Sequence, residues 1–119
     1  MSAVTDVGDR IAAAVREVRS LRVSIDLGAN LAPPAVLIGV PTLRWETPAS
    51  EPSSVSYPLY LVVAADSSSS ARLLALVPEL VAAVDTVPDA AVISAVPGVF
   101  LMGGTDLPAY TLTVDCAVG

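Results

Sequence analysis

Ten prolines and seven glycines interrupt a chain in which 54% of the 119 residues are hydrophobic. A membrane-spanning helix needs about 20 consecutive and mainly apolar residues. The uncharged run 90–105 contains Pro97, Gly98 and the pair Gly103–Gly104, and the run 31–43 contains three prolines. Neither run suits such a helix, and the N-terminus lacks the basic and apolar regions of a signal peptide. We therefore expect a soluble chain, made inside the cell, that contacts no membrane.

The length of the chain predicts one domain, spanning residues 1–119. A domain of this size leaves roughly a third or more of its unfolded surface exposed after folding. With this composition, part of the exposed surface must be apolar, and large exposed apolar patches usually mark interaction sites. The sequence thus predicts self-association or a stable partner. The alternative is a soluble monomer whose core is rich in alanine and valine.

Two apolar stripes at helical spacing predict two amphipathic helices. The first helix spans about residues 3–20, and the second begins after the serines at 67–70. Pro78 lies opposite the second stripe and should bend that helix or start a new segment. The stripes consist of Val4, Val7, Ile11, Val15 and Val18 in the first helix, and Leu73, Leu74, Val77, Leu80, Val81 and Val84 in the second.

Five segments show the alternation or the β-branched and aromatic content of strands. Prolines bound the second segment, which continues to about residue 46, and a Ser- and Pro-rich stretch at about 47–56 predicts a mobile loop. Gly103–Gly104 predicts a hairpin turn. The remaining apolar surface should concentrate on the proline-bounded strand and the terminal hairpin. The segments are 21–27, 34–41, 57–65, 91–102 and 107–118.

The order of these elements predicts an α+β fold. Its sheet is mainly antiparallel or mixed, has about four to five strands, and carries two helices packed on one face. The reverse face of the sheet would then be a natural association surface.

Most routes to catalysis are missing, because the chain has no histidine, no lysine and a single cysteine. Histidine is the usual proton shuttle and metal ligand. Cys116 lies in an apolar alternating run without a basic neighbour, which is typical of a buried residue. Asp85 and Asp89 could approach each other, but solvated acids are common where a helix ends. We predict no catalytic residue, no cofactor and no metal, and therefore no enzyme.

The net charge of −6 argues against binding to nucleic-acid phosphates, which requires a positive face. The N-terminal arginines alternate with acids, which indicates a solvated helix face. The arginines are Arg10, Arg16, Arg19 and Arg22, and the acids are Asp6, Asp9 and Glu17.

Four residues are candidates for a subunit interface, since Trp, Tyr and Arg are frequent at the energetic centres of interfaces. Trp45 is the single tryptophan and stands beside the predicted loop, with Arg44 next to it. Tyr57 and Tyr60 open the strand after the loop. Packing of Trp45 at the sheet edge and an ordinary surface role for Arg44 are the alternatives.

Three parts of the sequence resemble the tail terminator family of long-tailed bacteriophages, also known as minor tail or tail-completion proteins. They are the N-terminal amphipathic helix, the segment PPAVLIGVPTLRWE with the following loop and YPLYLVVAAD, and the second helix leading to a hairpin that ends LPAYTLTVDCAV. The resemblance covers nearly the whole chain and lies in the order of elements, because the family has no short motif of functional residues.

The resemblance implies a structural virion protein of the tail or neck, made in the host cytoplasm. Such proteins form rings, expected here to be hexameric, that cap the tail tube, stop its polymerisation and provide the surface for head–tail joining. The implied partners are further copies of the chain, the tail tube protein and a head-closure or neck protein, with DNA only passing through the lumen. Another neck connector, such as a stopper or adaptor, and a non-viral α+β binding domain are the alternatives.

Overall fold

The computed structural model describes residues 3–18, 21–25, 32–48 and 50–117. They form two helices and a six-stranded sheet, so the α+β class is confirmed and the predicted four to five strands were too few. In chain order the elements are α1 (Ala3–Arg16), β1 (Arg22–Ser24), β2 (Ala35–Ile38), β3 (Thr42–Arg44), β4 (Ser54–Val62), α2 (Ser69–Val84), β5 (Ala90–Met102) and β6 (Thr105–Ala117).

The sheet is mixed, with the strand order β1-β2-β4-β6-β5. Among the strand pairs in the described part of the chain, β1–β2 alone is parallel, and β3 pairs with β4. β2 lies beside residues 59–62 of β4 and β3 lies beside residues 54–56, so both occupy the same side of β4. Within the described residues, β5 therefore forms one edge of the sheet, while β1 and β3 form the other.

A β-bulge separates β2 from β3 and accounts for the additional strand. Residues 39–41 lie opposite only two residues of β4, Tyr57 and Pro58. The Gly39 N–H donates to the Pro58 carbonyl over 2.8 Å. A Cβ at position 39 would lie 2.8 Å from Pro58 Cγ, so glycine permits this close approach. The predicted continuation of the proline-bounded strand is thus confirmed, with a break in its register.

The predicted loop at 47–56 was too long at its C-terminal end. β4 begins at Ser54, where it pairs with Arg44, and the Ser53 N–H already donates to the Arg44 carbonyl over 2.8 Å. Antiparallel pairing therefore orders the last three residues of the predicted loop. The predicted strand end and turn at 26–30 lie outside the described residues.

Both helices pack on one face of the sheet, where the main core lies. The first predicted stripe is confirmed, since Val7, Ile11 and Val15 are buried and Val4 and Val18 pack partly against them. The strand residues of this core alternate, as period two requires. They include Val36 and Ile38 of β2, Val55, Tyr57, Leu59 and Leu61 of β4, and Leu112, Val114 and Cys116 of β6.

The second helix differs from its prediction in two respects. α2 is continuous through Pro78, which is exposed, so no second segment begins there. Leu74 is exposed, although it was assigned to the apolar stripe. It lies about 100° around the helix from the buried Leu73, at the rim of the packed face. α1 ends at Arg16, before the predicted residue 20.

The terminal hairpin is confirmed, and it is unusually long, with 13 residues in each strand. Gly103 and Gly104 have φ values of 58° and 81°, the positive pair of a type I′ turn. Pro97 and Gly98 lie inside β5 without breaking it.

The hairpin curls over the face of the sheet that carries no helix. Phe100 and Tyr60 would be roughly 16 Å apart in a flat sheet with ordinary strand spacings. Their ring centroids are in fact 4.9 Å apart. Met102, beside the turn, joins Leu37 and Val62 in a second buried cluster. This curl covers part of the face that the sequence predicts for association.

Candidate assembly surfaces

Exposed apolar side chains gather at the two opposite edges of the sheet. Nine large apolar residues are exposed in the described part of the chain. Leu74 on α2 is the single one that belongs to neither edge. We call Ile93, Val96, Val99 and Leu101 the β5 edge, and Ile25, Val40, Leu43 and Trp45 the β3 edge.

The β5 edge results from a long uncharged segment. No ionisable side chain occurs in residues 90–105, so nothing in this strand needs water for a charge. Val99 and Leu101 are 72% and 64% exposed on the helix-bearing side of the sheet, beyond the reach of the helices. Val96 points to the other side and is 58% exposed. A partner at this edge could therefore contact apolar atoms on both sides of one strand.

No strand among the described residues pairs with the outer side of β5, so its outward main-chain groups can accept a new strand. The Val63 N–H donates to the Pro108 carbonyl and the Ala117 N–H donates to the Asp89 carbonyl. With the observed registers, these bonds direct the N–H and C=O groups of odd-numbered residues 95–101 away from β6. Pro97, which has no N–H, occupies one of these outward positions, as expected of an edge strand.

The β3 edge is formed by the bulge and the short strand after it. The bulge places Val40 in solvent, where the residue is 80% exposed. Leu43 pairs with Val55, whose side chain belongs to the main core, so Leu43 lies on the helix-bearing side of the sheet. Trp45 follows and is 49% exposed. An open cleft between α1 and the bulge adjoins this edge, with Val40 and Ile25 in its lining.

Arg44 lies on the other side of β3 and is fixed within its own subunit. Its Nη1 donates to Ser56 Oγ over 3.2 Å and lies 3.9 Å from Asp115 Oδ1. The Ser56 hydroxyl in turn donates a short hydrogen bond to Asp115. This network joins β3, β4 and β6, and it leaves about half of the Arg44 side chain exposed beside Trp45.

The two tyrosines predicted as interface residues lie on opposite faces of β4. Tyr57 is buried, and its hydroxyl donates to the Val4 carbonyl of α1 over 2.7 Å. Its side chain belongs to the core, so we leave it out of the assembly surfaces. Tyr60 is half-buried under the hairpin and contacts Phe100. Of the four candidates, Arg44 and Trp45 are therefore exposed at an edge.

Sequence reasoning named the segments that carry exposed apolar surface but did not name Val40, Val96, Val99 and Leu101. The expectation that such surface concentrates on the proline-bounded strand and the terminal hairpin is confirmed. The signal for Val96, Val99 and Leu101 was the absence of charge over 90–105, combined with the alternation of a strand. The edge position itself had no sequence signal, because it depends on which strands pair.

No group of three or more histidine, cysteine or acidic side chains that could hold a metal occurs among the described residues. Cys116 is buried in the main core. Burial raises the pKa of its thiol to about 11, with a smaller contribution from the charge of Asp115. The thiol is therefore protonated at neutral pH and a poor nucleophile.

No helix in the described part of the chain is both long and apolar enough to cross a membrane. Comparison with protein-family models, with curated proteins and with solved structures finds no match to this chain.

Proposed function

We propose that this protein is a non-enzymatic structural subunit of a phage virion. In this proposal it forms a ring at the head-proximal end of the tail tube, stops polymerisation of the tube, and provides the surface for head–tail joining. Its partners are other copies of the chain, the tail tube protein and a head-closure protein. The proposal combines the resemblance of the sequence with the distribution of exposed apolar residues.

The distribution of the apolar residues carries the proposal. A ring of identical subunits needs a heterologous contact, in which one patch meets a different patch on the next subunit. The β5 edge and the β3 edge are two different apolar patches at opposite ends of one sheet. This arrangement suits a subunit with one neighbour on each side. A two-fold dimer would use one patch and leave the other exposed.

The charge of the chain fits passage of DNA better than binding of DNA. The chain contains twelve acidic residues and six arginines. Two of these arginines lie close to acids, Arg44 to Asp115 and Arg72 to Asp66. Carboxylates along a lumen would repel phosphates and keep DNA from adhering. A lumen lined mainly by the N-terminal arginines would contradict this part of the proposal.

Light scattering coupled to gel filtration, together with negative-stain electron microscopy, tests the proposal. We expect ring-shaped particles, or rings on the ends of tubes when purified tail tube protein is added. Capped tubes of limited length support a terminator. Rings that bind only a head-closure protein indicate another neck connector. A strict monomer at all concentrations, without binding to tubes, contradicts both.

One pair of variants separates specific assembly from general stickiness. Leu101→Glu places a charge on the β5 edge, whereas Leu74→Glu places the same charge on α2, outside both edges. The two leucines are 64% and 61% exposed, so neither change buries a new charge in the free subunit. We expect Leu101→Glu to abolish ring formation and Leu74→Glu to preserve it.

A further inference from the structure

We propose that subunits join as one continuous antiparallel sheet, in which β5 of one copy pairs with β3 of the next. In this register Val99 lies opposite Trp45 and Leu101 lies opposite Leu43. The inference rests on the proposed self-association and specifies which strands meet. It is carried by strand direction, by the free main-chain groups, and by the side on which the apolar residues lie.

Strand direction permits antiparallel pairing between neighbouring copies. β4 and β5 both run antiparallel to β6, so they share one direction, and β3 runs antiparallel to β4. β5 and β3 of one subunit therefore point in opposite directions. When the next subunit continues the sheet in the same orientation, its β3 meets β5 as an antiparallel neighbour. Strand addition of this kind is a recurrent mode of protein association.

The residues whose N–H and C=O groups point outward from β3 and β5 can be placed opposite one another. Thr42 and Arg44 face β4, as the bond from the Ser53 N–H to the Arg44 carbonyl shows, so the main-chain groups of Leu43 point outward, and those of Trp45 would do so if β3 were extended by one residue on assembly. The groups of Val99 and Leu101 also point outward from β5. In antiparallel pairs, two outward-facing residues exchange both of their hydrogen bonds.

The same register brings the apolar side chains together. Val99 and Leu101 lie on the helix-bearing side of β5, because they pair with Pro108 and Asp106, whose positions alternate in phase with core residues of β6. Leu43 lies on that side of β3, and Trp45 would lie on the same side if the strand were extended to it. Directly opposite residues of a sheet share one side, so four exposed apolar side chains would form two cross-strand pairs.

Pro97 sets one limit of the pairing segment. Its position faces outward and offers no N–H, so a ladder through residue 97 would lack a bond. The proposed segment 99–102 begins after it and matches the length of residues 42–45. Charge also favours a second copy as the partner. Each subunit carries a net charge of −6, whereas residues 90–105 hold no charge and residues 39–45 hold only Arg44.

Disulfide trapping tests the register directly. In a Cys116→Ala background, Leu43→Cys is combined with Leu101→Cys. Hydrogen-bonded antiparallel residues have Cα atoms about 5.5 Å apart, within the range that a disulfide spans. Within one subunit the two positions lie at opposite edges of the sheet, so the bond must join two copies. We expect oxidation to convert the monomer band into a ladder that ends at the size of the closed ring.

The controls are the two single variants and the pair Leu43→Cys with Val96→Cys, in which the second cysteine points to the other side of β5. We expect none of them to form the ladder. Dimers from Leu101→Cys alone would show that β5 pairs with itself and would overturn the inference. Rings that form but resist trapping would overturn this register while leaving the proposed function intact. Failure of the unmodified protein to assemble would overturn both.

A proline scan provides a second and independent measurement. Val99→Pro removes an outward N–H without removing a hydrogen bond to β6, and Ala95→Pro does the same outside the proposed segment. We expect Val99→Pro to raise the dissociation constant of the contact roughly two- to tenfold, the effect of one lost hydrogen bond. Ala95→Pro should leave it unchanged. Equal effects of the two changes would contradict strand pairing at 99–102.

Discussion

The Tyr57 hydroxyl donates a hydrogen bond to the Val4 carbonyl over 2.7 Å and thereby ties the first turn of α1 to the centre of β4. The hydroxyl also fills the space beside Gly8. A Cβ at position 8 would lie 2.6 Å from the Tyr57 oxygen and 3.0 Å from the adjacent ring carbon. The Tyr57 phenol thus holds α1 in position and leaves no space for a Cβ at Gly8, where α1 lies close to it.

This relationship predicts coupled effects of Gly8→Ala and Tyr57→Phe. Tyr57→Phe should lower the free energy of unfolding by about 1–2 kcal/mol, because a partly buried hydrogen bond is lost. Gly8→Ala should also destabilise, since an overpacking cost of about 1–3 kcal/mol exceeds the gain in helix propensity of about 1 kcal/mol. In the Tyr57→Phe background the cost of Gly8→Ala should fall by about 1 kcal/mol. Urea denaturation of the four proteins measures this coupling, and strictly additive effects would contradict it.

The start of α2 depends on one buried serine. The Ser69 hydroxyl accepts from the Asp66 N–H over 2.9 Å and donates its one proton to the Ala64 carbonyl over 2.8 Å, with the Asp66 carbonyl also 2.9 Å away. Ser69→Ala should cost about 1–2 kcal/mol, because the Asp66 N–H loses its acceptor and the Ala64 carbonyl keeps only the bond from Arg72. The exposed Ser70, one residue later, is the matched control. Ser70→Ala should change the midpoint of thermal unfolding very little, and equal losses from both variants would count against a specific role of the Ser69 hydroxyl in fixing the turn before α2.

Pro78 offers a route to a more stable protein. It is exposed in the middle of α2, where a proline removes one helical hydrogen bond. Pro78→Ala should therefore raise the free energy of unfolding by about 2–2.5 kcal/mol, the cost of an interior proline less the entropy that proline removes from the unfolded chain. Thermal unfolding followed by circular dichroism measures the change. A lower midpoint would mean that packing around the proline ring outweighs the missing bond.

Two buried acids predict a loss of stability at alkaline pH. Burial raises the pKa of the Cys116 thiol to about 11 from an ordinary value of 9.0, and it also raises the pKa of Tyr57 above 10.0. Between the unfolded and folded pKa values the unfolded chain has released a proton that the folded chain retains, so stability falls as pH rises. For Cys116 this window runs from pH 9 to about 11.

Denaturation at several pH values tests the alkaline loss. Cys116→Ala should be less stable than the parent protein at neutral pH, because it leaves a small cavity, but its stability should fall less steeply between pH 9 and 11. Thiol alkylation gives an independent check, since the native protein should react far more slowly than the unfolded protein. Parallel pH profiles for the two proteins would contradict a shifted thiol.

Much of the local structure could be read from the sequence, because period and turn chemistry depend on neighbouring residues. The stripe from Val4 to Val18 and the turn at Gly103–Gly104 formed as predicted. The predictions were wrong where contacts between distant parts of the chain decide the local structure. Ser54 became ordered because it pairs with Arg44, and Leu74 stayed exposed because the packed face of α2 is narrower than its apolar sequence.

The residues of the candidate surfaces could likewise be predicted only in part from the sequence. Trp45 and Arg44 were identifiable by residue type, and both lie exposed at an edge. Tyr57 is also of a residue type that is frequent at interfaces. It nevertheless lies in the core, because alternation in β4 directs its side chain toward α1. Residue type alone could not separate Tyr57 from Tyr60, whose ring contacts the curled hairpin on the other side.

The sequence by itself determined that the chain would alternate short amphipathic helices and strands, and that it would lack the residues most chemistry uses. Both properties follow from composition and from local period. Only the tertiary structure decided that the uncharged strand β5 and the short strand β3 lie at opposite edges of the sheet, with Val99 and Leu101 on the same side as Leu43. The physical reason is that a strand becomes an edge through the partners it does not have, and those are set by contacts between residues far apart in the chain.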